Sequence, residues 1–323
     1  TCRRHEIICF DISKMNFQQL RIVRETVRQN FNLTEVGKIV FTSQSGVSKS
    51  LKELEDELGI EIFERMGKRL VSLTPAGESL LEGINRILLD AHNLRVVASQ
   101  FANKAKGNLI LATTHAQARY ALPQYLQTFK QDYPDVHLTI YESSPREISR
   151  LLIEGEADIG IATEGLHLID ELITFPWYDW HHNILAPLNH PILDLGETIT
   201  LEELSEYPLI TYHAGLAGRS GVDAAFEKAG LSPDFVLTAL DADVIKTYVE
   251  HGLGLGIAGS FSYNPERDSQ LKSISAAHLF NMNTTRIALK RGHHLRDFAY
   301  DFIERISPKL TREDVIAQLV LPN

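Results

Sequence analysis

The sequence predicts a chain of three parts: a small helical head that ends in a β-hairpin, one long helix, and an α/β body of two lobes. Apolar residues recur at helical spacing in three short segments of residues 17–58. A heptad pattern then runs over 80–101, and short apolar runs alternate with helical segments from 109 onward. We therefore predict domains over 15–74, 75–104 and 105–310, followed by a C-terminal extension over 311–323 that contains a short helix.

The composition is that of a globular protein, with 44% hydrophobic and 23% charged residues in 323. No apolar run approaches the ~18 residues that a membrane-spanning helix needs, so no membrane partner is expected. Both cysteines, Cys2 and Cys9, lie in residues 1–14. This excludes disulfides, thiolate metal sites and cysteine nucleophiles from the main body. We expect 1–14 to be a non-native extension before a natural start at Met15 and, without an export signal, a cytoplasmic protein.

The charge of the chain is unevenly distributed. The net charge is −10, but residues 1–103 carry 14 basic and 13 acidic side chains, whereas residues 104–323 carry 18 and 29. An acidic body with a near-neutral head does not by itself indicate a nucleic-acid partner, which usually requires a basic domain. A local basic cluster in the head would be sufficient.

The third predicted helix has a polar face near its N-terminal end. Thr42 is a suitable N-cap, and Gly59 ends the helix. Side chains of this kind hydrogen-bond base edges and phosphates, although such a face taken alone is more often ordinary solvated surface. The candidate DNA-binding residues on it are Thr42, Ser43, Gln44, Ser45, Ser48, Lys49 and Lys52.

A basic hairpin follows this helix. The apolar runs 60–63 and 70–73 flank a tip that contains Arg65, Lys68 and Arg69. Such a wing can reach the phosphate backbone beside the groove that the helix enters, where each cation adds salt-dependent affinity.

Four motifs of the head now point to a family. They are TSQSGVS at 42–48, LEDELG at 54–59, FER at 63–65 and LTPAG at 73–77. Together they resemble the winged helix-turn-helix DNA-binding head of LysR-type transcriptional regulators, over residues 15–80 without a gap. The resemblance implies a double-stranded DNA partner and a regulator that is not an enzyme, with no catalytic residues, no cofactor and no metal.

The long helix carries a predicted dimerisation seam. The apolar positions alternate in steps of four and three, which is a heptad pattern, although a helix packed on its own chain is an alternative. In LysR-type proteins this segment is a linker helix that joins two heads, so the resemblance implies a dimer and, beyond it, a tetramer. The seam residues are Leu80, Ile84, Ile87, Ala91, Leu94, Ala98 and Phe101.

The body alternates strands with helices, which predicts parallel sheets with a ligand at the carboxyl ends of their strands. Strands are predicted near 109–113, 136–141, 157–162, 182–187, 208–212, 235–240, 255–258 and 285–289. Lobe I is expected to comprise 105–177 and 280–306, and lobe II 178–279. Two lobes joined by two crossings resemble the periplasmic-binding-protein-like effector domain of LysR regulators.

Further motifs resemble the CysB/Cbl branch of the family over essentially 15–310. They are ATTHAQARY at 112–120, EADIGIA at 156–162, FPW at 175–177, WHH at 180–182, GRS at 218–220 and DVIKTYV at 243–249. The resemblance implies an activator of sulfur-assimilation genes that acts at promoters with RNA polymerase. It also implies an effector such as sulfate, thiosulfate, an acetylserine or adenylyl sulfate.

The predicted effector site combines hydroxyl, amide and indole groups from both lobes, and a small anion can be held by such groups and helix N-termini without a buried cation. Each residue taken alone is more often a plain helix cap. Ala116 and Ala217 replace family hydroxyls, and each loss weakens a bound anion by roughly 1–3 kcal/mol. The candidates are Thr113, Thr114, Gln117, Ser144, Thr163, Trp177 and Ser220.

Two further pairs of polar residues are interpreted as structural and not as functional sites. His181 and His182 are adjacent on a strand and point to opposite faces, which disfavours metal chelation. Asp241 and Asp243 precede a helix and are interpreted as caps rather than an acid/base pair. Two alternative functions remain: a LysR regulator of another pathway, such as aromatic-acid sensing, or a solute-binding or catalytic α/β protein that does not bind DNA.

Overall fold

The computed structural model describes residues 15–102, 106–196, 198–216 and 218–320. The predictions for 1–14, for the end of the linker at 103–104, for Ala217 and for 321–323 lie outside these ranges. The chain divides into two compact units at Val96 and Val97, and each unit is described by itself. Within the described ranges, no helix combines the length and apolar character that crossing a membrane requires.

The head is a three-helix bundle with a two-stranded wing. Asn16 caps the first helix in a reciprocal capping box with Gln19, and Asn32 caps the second. Val23, Val36 and Val47, one from each helix, are fully buried in the shared core. The elements are α1 (Phe17–Arg28), α2 (Leu33–Val40), α3 (Gln44–Leu58), β1 (Phe63–Met66), β2 (Arg69–Leu73) and α4 (Pro75–Ala102).

Two boundaries in the head differ from the predictions. Ser43 rather than Thr42 is the N-cap of α3, because the Ser43 hydroxyl accepts the Gly46 N–H at 3.1 Å. The hairpin strands also extend further toward the tip, so Arg65 and Arg69 lie within strands. The turn is confined to Gly67 and Lys68, where Gly67 takes a φ of 63° that favours glycine.

The start of α4 crosses close to the wing, which explains the LTPAG motif. Thr74 caps the helix by accepting the Gly77 N–H at 2.9 Å. A Cβ on Gly77 would lie 2.1 Å from the carbonyl oxygen of Ile62, so only glycine permits this approach.

The seam on α4 is divided between two environments. Leu80 and Ile84 pack in the head's own core, and Ile84 is only 5% exposed. For these two residues the structure favours packing on the same chain over contact with a partner. Ile87 and Leu94, seven residues apart, are 41% and 72% exposed. Ala91 is half-buried and Ala98 is exposed, while the side chain of Phe101 is not among those that the structure describes.

Lobe I is a five-stranded sheet covered by helices on both faces. The strand order is β4-β3-β5-β12-β6, in which β12 returns from the end of the chain and runs antiparallel to both neighbours. Its strands are β3 (Gly107–Thr113), β4 (Val136–Glu142), β5 (Ile159–Ala162), β6 (Leu172–Trp180) and β12 (Asn283–Lys290). Its helices are α5 (Pro123–Asp132), α6 (Pro145–Ile153), α10 (Asp297–Ile306) and α11 (Arg312–Val320), with a π-helical turn over Gln117–Ala121.

Lobe II repeats this plan with the strand order β11-β7-β10-β8-β9. Its strands are β7 (His182–Pro187), β8 (Leu209–Tyr212), β9 (Phe235–Ala239), β10 (Leu255–Gly259) and β11 (Leu271–Ser275). Its helices are α7 (Leu201–Ser205), α8 (Arg219–Lys228) and α9 (Ala242–Glu250). The chain crosses between the lobes at His181 and again over 276–282.

Both sheets are mixed, so the prediction of parallel sheets is confirmed for three neighbouring strands of each lobe and wrong for the rest. In each lobe one strand beside a crossing, β12 in lobe I and β7 in lobe II, runs antiparallel to both of its neighbours. Sequence analysis also missed β6 and β11. The missed strand β6 contains Pro176, a residue that argues against a strand in sequence and here lies at a register shift in the β6–β12 pairing.

Candidate nucleic-acid interface and ligand cavity

The polar face of α3 is exposed as its sequence predicts. Six of its seven predicted DNA-binding side chains are exposed, and Ser48 is half-buried. Lys49 is 78% exposed and lies 3.7 Å from Glu53, an ion pair that screening makes weak. The exposed residues are Thr42, Ser43, Gln44, Ser45, Lys49 and Lys52.

The wing is fixed to α3 by one buried carboxylate. Glu55 accepts the backbone N–H groups of Ile62 at 2.9 Å and Phe63 at 3.2 Å. Its other oxygen accepts the Arg65 guanidinium at 2.6 Å. Arg65 is therefore held in the base of the wing, and the predicted phosphate contacts fall mainly to Lys68 and Arg69, which are exposed.

A small cavity lies between the lobes at the carboxyl end of the lobe I sheet. Its volume is about 30 Å³, which is room for one or two water molecules. A ligand as large as sulfate therefore requires the surrounding groups to move apart. The lining residues from lobe I are Thr114, His115, Ala116, Gln117, Pro145, Thr163, Glu164 and Trp180, and those from lobe II are Tyr212, Leu216, Leu240 and Phe261.

A buried hydrogen-bond network backs this cavity and centres on Thr285 of β12. The Thr285 hydroxyl accepts from Gln117 Nε2 at 3.3 Å and from the Trp180 indole N–H at 3.2 Å. It also lies 3.3 Å from the hydroxyl of Thr163. On the other side, Gln117 Oε1 accepts the Tyr178 hydroxyl at 2.6 Å. The network fixes the orientation of Gln117, so that a cavity-lining amide is held in place before any ligand arrives.

The structure brings only some of the predicted effector residues together. Thr114, Gln117 and Thr163 line the cavity, beside the buried Ala116. Thr113 is adjacent but fully buried, and its hydroxyl donates to the Ile161 carbonyl.

The other three predicted effector residues lie outside the cavity lining. Ser144 caps α6 by accepting the Glu147 N–H, and Ser220 is exposed in the first turn of α8. Trp177 packs with the lobe I core and donates to the Ile306 carbonyl at 2.6 Å. Trp180, rather than Trp177, is the tryptophan of the cavity wall.

Two carboxylates connect the lobes beside the cavity. Glu164 of lobe I accepts the Gly218 N–H of lobe II at 2.7 Å, and burial raises the pKa of Glu164. Asp243 of lobe II accepts the Tyr120 hydroxyl at 2.7 Å and the Arg119 guanidinium at 3.2 Å. Asp241 does cap α9 as predicted, but the interpretation of Asp243 as a cap is wrong, because its oxygens point to lobe I.

His115 completes a cluster of charges at this junction. Its Nδ1 lies 2.7 Å from Glu142 and its Nε2 lies 3.5 Å from Asp243. Partial burial by itself would lower the pKa of His115, but the hydrogen bond to Glu142 and the nearby carboxylates of Asp241 and Asp243 raise it. Ligand atoms of His115, Asp241 and Asp243 lie within 4.8 Å of one another. Since Arg119 also contacts Asp243, the arrangement is better described as an ion-pair cluster than as a metal site.

The sequence did not indicate Tyr178, Glu164, Thr285 or Phe261 as residues of this region, and Asp243 was interpreted only as a helix cap. Glu164 and Phe261 lie two residues beyond the ends of β5 and β10. Residues at the carboxyl ends of sheet strands are typical site residues, so a signal for these two was present. Thr285 is on a strand that returns from the far end of the chain, and no local pattern indicates it.

The fold and these two sites define a ligand-responsive DNA-binding regulator, and the comparisons with known proteins agree. Residues 17–78 match the family model described as the bacterial regulatory helix-turn-helix protein, lysR family. Residues 102–310 match the LysR substrate binding domain. The chain belongs to the LysR family of transcriptional regulators, whose members bind DNA and small effectors and form oligomers.

The relatives place the chain close to the CysB/Cbl branch, which confirms the resemblance drawn from the motifs. It is 52% identical to the transcriptional regulator SsuR of Burkholderia cenocepacia over 94% of this chain and 99% of the relative. It is 50% identical to CysB of the same organism over 93% and 95%. The cofactor-binding domain of the Cbl regulator superposes with a TM-score of 0.66 at 43% identity, over 68% of this chain and 96% of that domain.

Proposed function

We propose that this LysR-type regulator activates genes of sulfur assimilation and cysteine biosynthesis in response to a small effector bound between its lobes. The exposed polar face of α3, with the wing beside it, carries the DNA-binding part of the proposal. The sequence identities of 52% to SsuR and 50% to CysB support sulfur assimilation as the regulated pathway. The chain would act in the cytoplasm, where bacterial DNA lies, and without enzymatic activity.

The DNA contacts divide into two classes in this proposal. Gln44 and Ser45 in the first turn of α3 read base edges in the major groove, because this end of a recognition helix enters the groove. Lys49, Lys68 and Arg69 contact phosphates, which supplies affinity that decreases with salt.

The exposed part of the α4 seam supports pairing with a second copy of the chain. Ile87 and Leu94 present large apolar side chains to solvent at heptad spacing. A dimer formed there would present two recognition helices to spaced half-sites, and we propose that dimers pair further into a tetramer. Effector binding would alter the pairing of dimers, and hence the DNA bend and access of RNA polymerase to the promoter.

The cavity supports a small polar effector. Thr114, Gln117 and Thr163 offer hydroxyl and amide groups, and no lysine or arginine occurs among the described residues that line the cavity. We propose sulfate, thiosulfate, an acetylserine or adenylyl sulfate as the effector. Ala116, which cannot donate a hydrogen bond from its side chain, favours a ligand that does not depend on a hydroxyl at that position.

Binding to promoter DNA of sulfur-assimilation genes tests the first half of the proposal. Gln44→Ala and Lys49→Ala should each abolish site-specific binding in a gel-shift titration without changing the thermal unfolding of the protein. Lys38→Ala is the matched control, since Lys38 is an exposed lysine of α2 that pairs with Glu35. Unchanged affinity of both test variants would contradict the proposal, and failure of the native chain to bind any DNA would revive the solute-binding alternative.

A thermal-shift titration tests the second half. The ligands are sulfate, thiosulfate, O-acetylserine, N-acetylserine and adenylyl sulfate, with benzoate as the control. Quenching of Trp180, which lines the cavity, gives an independent signal. A saturable response to a sulfur-pathway compound alone supports the proposal. A response to benzoate alone would assign the chain to a LysR regulator of another pathway.

A further inference from the structure

The segment 114–121 has two sides with different partners. Toward the cavity it presents Thr114 and Gln117. Toward lobe II it presents Arg119 and Tyr120, which both bind the carboxylate of Asp243. Part of the segment is a π-helical turn, a rare geometry that is frequent at functional sites. The groups that line the effector cavity and the groups that grip the other lobe therefore belong to one short piece of chain.

Asp243 is itself firmly held within lobe II. Lys246 lies 3.2 Å from the Asp243 carboxylate and 3.0 Å from Asp268, in a position where both Lys246 and Asp268 are largely buried. Burial by itself would raise the pKa of Asp243, but the hydrogen bond from Tyr120 and the charges of Lys246 and Arg119 lower it to about 2. The carboxylate is thus charged under all physiological conditions, and its position is fixed by its own lobe.

The same group of residues leads back to the cavity. Lys246 donates to the Ser262 carbonyl at 3.1 Å, and the neighbouring Phe261 lines the cavity. The Phe261 ring lies 6.1 Å from Tyr120 and 5.1 Å from Trp180. Tyr120 is therefore held against lobe II by a hydrogen bond at its hydroxyl and by an aromatic contact at its ring.

The size of the cavity determines the direction of the effect. About 30 Å³ is too small for sulfate or an acetylserine, so a ligand must separate groups of lobe I from groups of lobe II before it fits. The contacts of Asp243 with Arg119 and Tyr120 cross that boundary and resist the separation. They stabilise the arrangement in which the two lobes are in contact, and their loss lowers the cost of admitting a ligand.

We infer that Asp243 is a positioning residue that clamps segment 114–121 of lobe I to lobe II, and that an effector must loosen this clamp to enter. The inference rests on the proposed function, since it takes the cavity as the effector site. It extends that function by naming the contact through which occupancy of the cavity changes the relation between the lobes.

The test compares three variants of the full chain. Asp243→Asn keeps the shape and removes the charge, and Tyr120→Phe removes the hydroxyl but keeps the ring on Phe261. Asp234→Asn is the matched control, because it makes the same charge change at an exposed acid of lobe II that does not line the cavity. Affinities for sulfate, thiosulfate, O-acetylserine and N-acetylserine are measured by calorimetry. Hydrogen–deuterium exchange of the 117–122 amides is measured without ligand.

The clamp predicts a gain of affinity, which a merely structural role would not produce. For a probe that the native chain binds, Asp243→Asn should bind it about ten-fold more tightly than the native chain does, and Tyr120→Phe about three-fold more tightly. The affinity of Asp234→Asn should be unchanged. Exchange at 117–122 should rise in the first two variants only. Unchanged or weaker binding in both overturns the inference while leaving the proposed effector in place.

If no probe binds the native chain, the proposed choice of effector is contradicted, but the clamp by Asp243 is still tested by the variants. Binding by Asp243→Asn alone, or faster exchange at 117–122 in Asp243→Asn and Tyr120→Phe but not in the control, supports the clamp. No change of exchange in either variant overturns it.

Discussion

Replacing Thr285 by valine tests the hydrogen-bond network that backs the cavity between the lobes. Valine has nearly the same shape, so the packing is retained and only the hydroxyl is lost. The Gln117 amide and the Trp180 indole N–H, whose hydrogen bonds to that hydroxyl are 3.3 and 3.2 Å long, then lose their acceptor. Thr285 is fully buried, so both donors lose their acceptor in the interior of the protein.

The magnitude follows from the two donors. A buried donor left without an acceptor costs about 1–3 kcal/mol, and the length of both bonds places each near the lower end of that range. We expect Thr285→Val to lower the free energy of unfolding of the effector body by about 2–3 kcal/mol. The effector should also bind more weakly, because Gln117 loses one of its two anchors.

Urea unfolding followed by circular dichroism measures the first effect, and effector titration the second. Thr284→Val is the control, since the neighbouring hydroxyl pairs with Asp179 of the same sheet at 2.5 Å and is not part of the network. A loss below about 0.5 kcal/mol for Thr285→Val, at unchanged urea dependence, would refute the reasoning that these bonds fix the cavity wall.

Two further predictions concern buried carboxylates. Glu55→Ala leaves the Ile62 and Phe63 N–H groups unpaired, so the free energy of unfolding of the head should fall by about 3–5 kcal/mol and its DNA affinity should fall as well. Hydrogen exchange of the hairpin measures the first effect and gel shift the second. Glu53→Ala, at an exposed position, is the control and should change the stability little. Burial raises the pKa of Asp158 from 3.8 to about 6, so the folded protein holds this proton more tightly than the unfolded chain does. The protonated carboxyl therefore stabilises the fold at low pH, and this stabilisation is lost as the pH rises through about 6. Asp158→Asn should therefore be more stable than the native chain by about 2–3 kcal/mol near pH 8 and equally stable near pH 4. A difference in melting temperature between the two proteins that does not change from pH 4 to pH 8 would contradict this.

Local signals in the sequence predicted most of the elements, although β6 and β11 were missed. Asp241 caps α9 as predicted and Ser144 caps α6, because caps act within a few residues of the chain. The motifs of the head are local signals of the same kind. The glycine of the LTPAG motif, Gly77, is required because its missing side chain lets the Ile62 carbonyl approach α4.

The sequence could not decide which tryptophan faces the cavity. Trp177 and Trp180 are three residues apart on β6, so strand alternation sends them to opposite faces without saying which face is which. A register shift in the β6–β12 pairing, where Thr285 pairs with Tyr178 and Arg286 with Pro176, adds to the ambiguity. The tertiary structure places Trp180 in the cavity wall and Trp177 in the lobe I core.

The sequence by itself determined the family, the exposed polar face of α3 and the strand end that carries Thr114 and Gln117, because each depends on residues close together in the chain. Only the tertiary structure decided what those residues meet. Gln117 binds Thr285, 168 positions away, and Tyr120 binds Asp243, 123 positions away. Such partners are chosen by how the strands cross between two lobes and how the lobes close on each other, and no local periodicity records that choice.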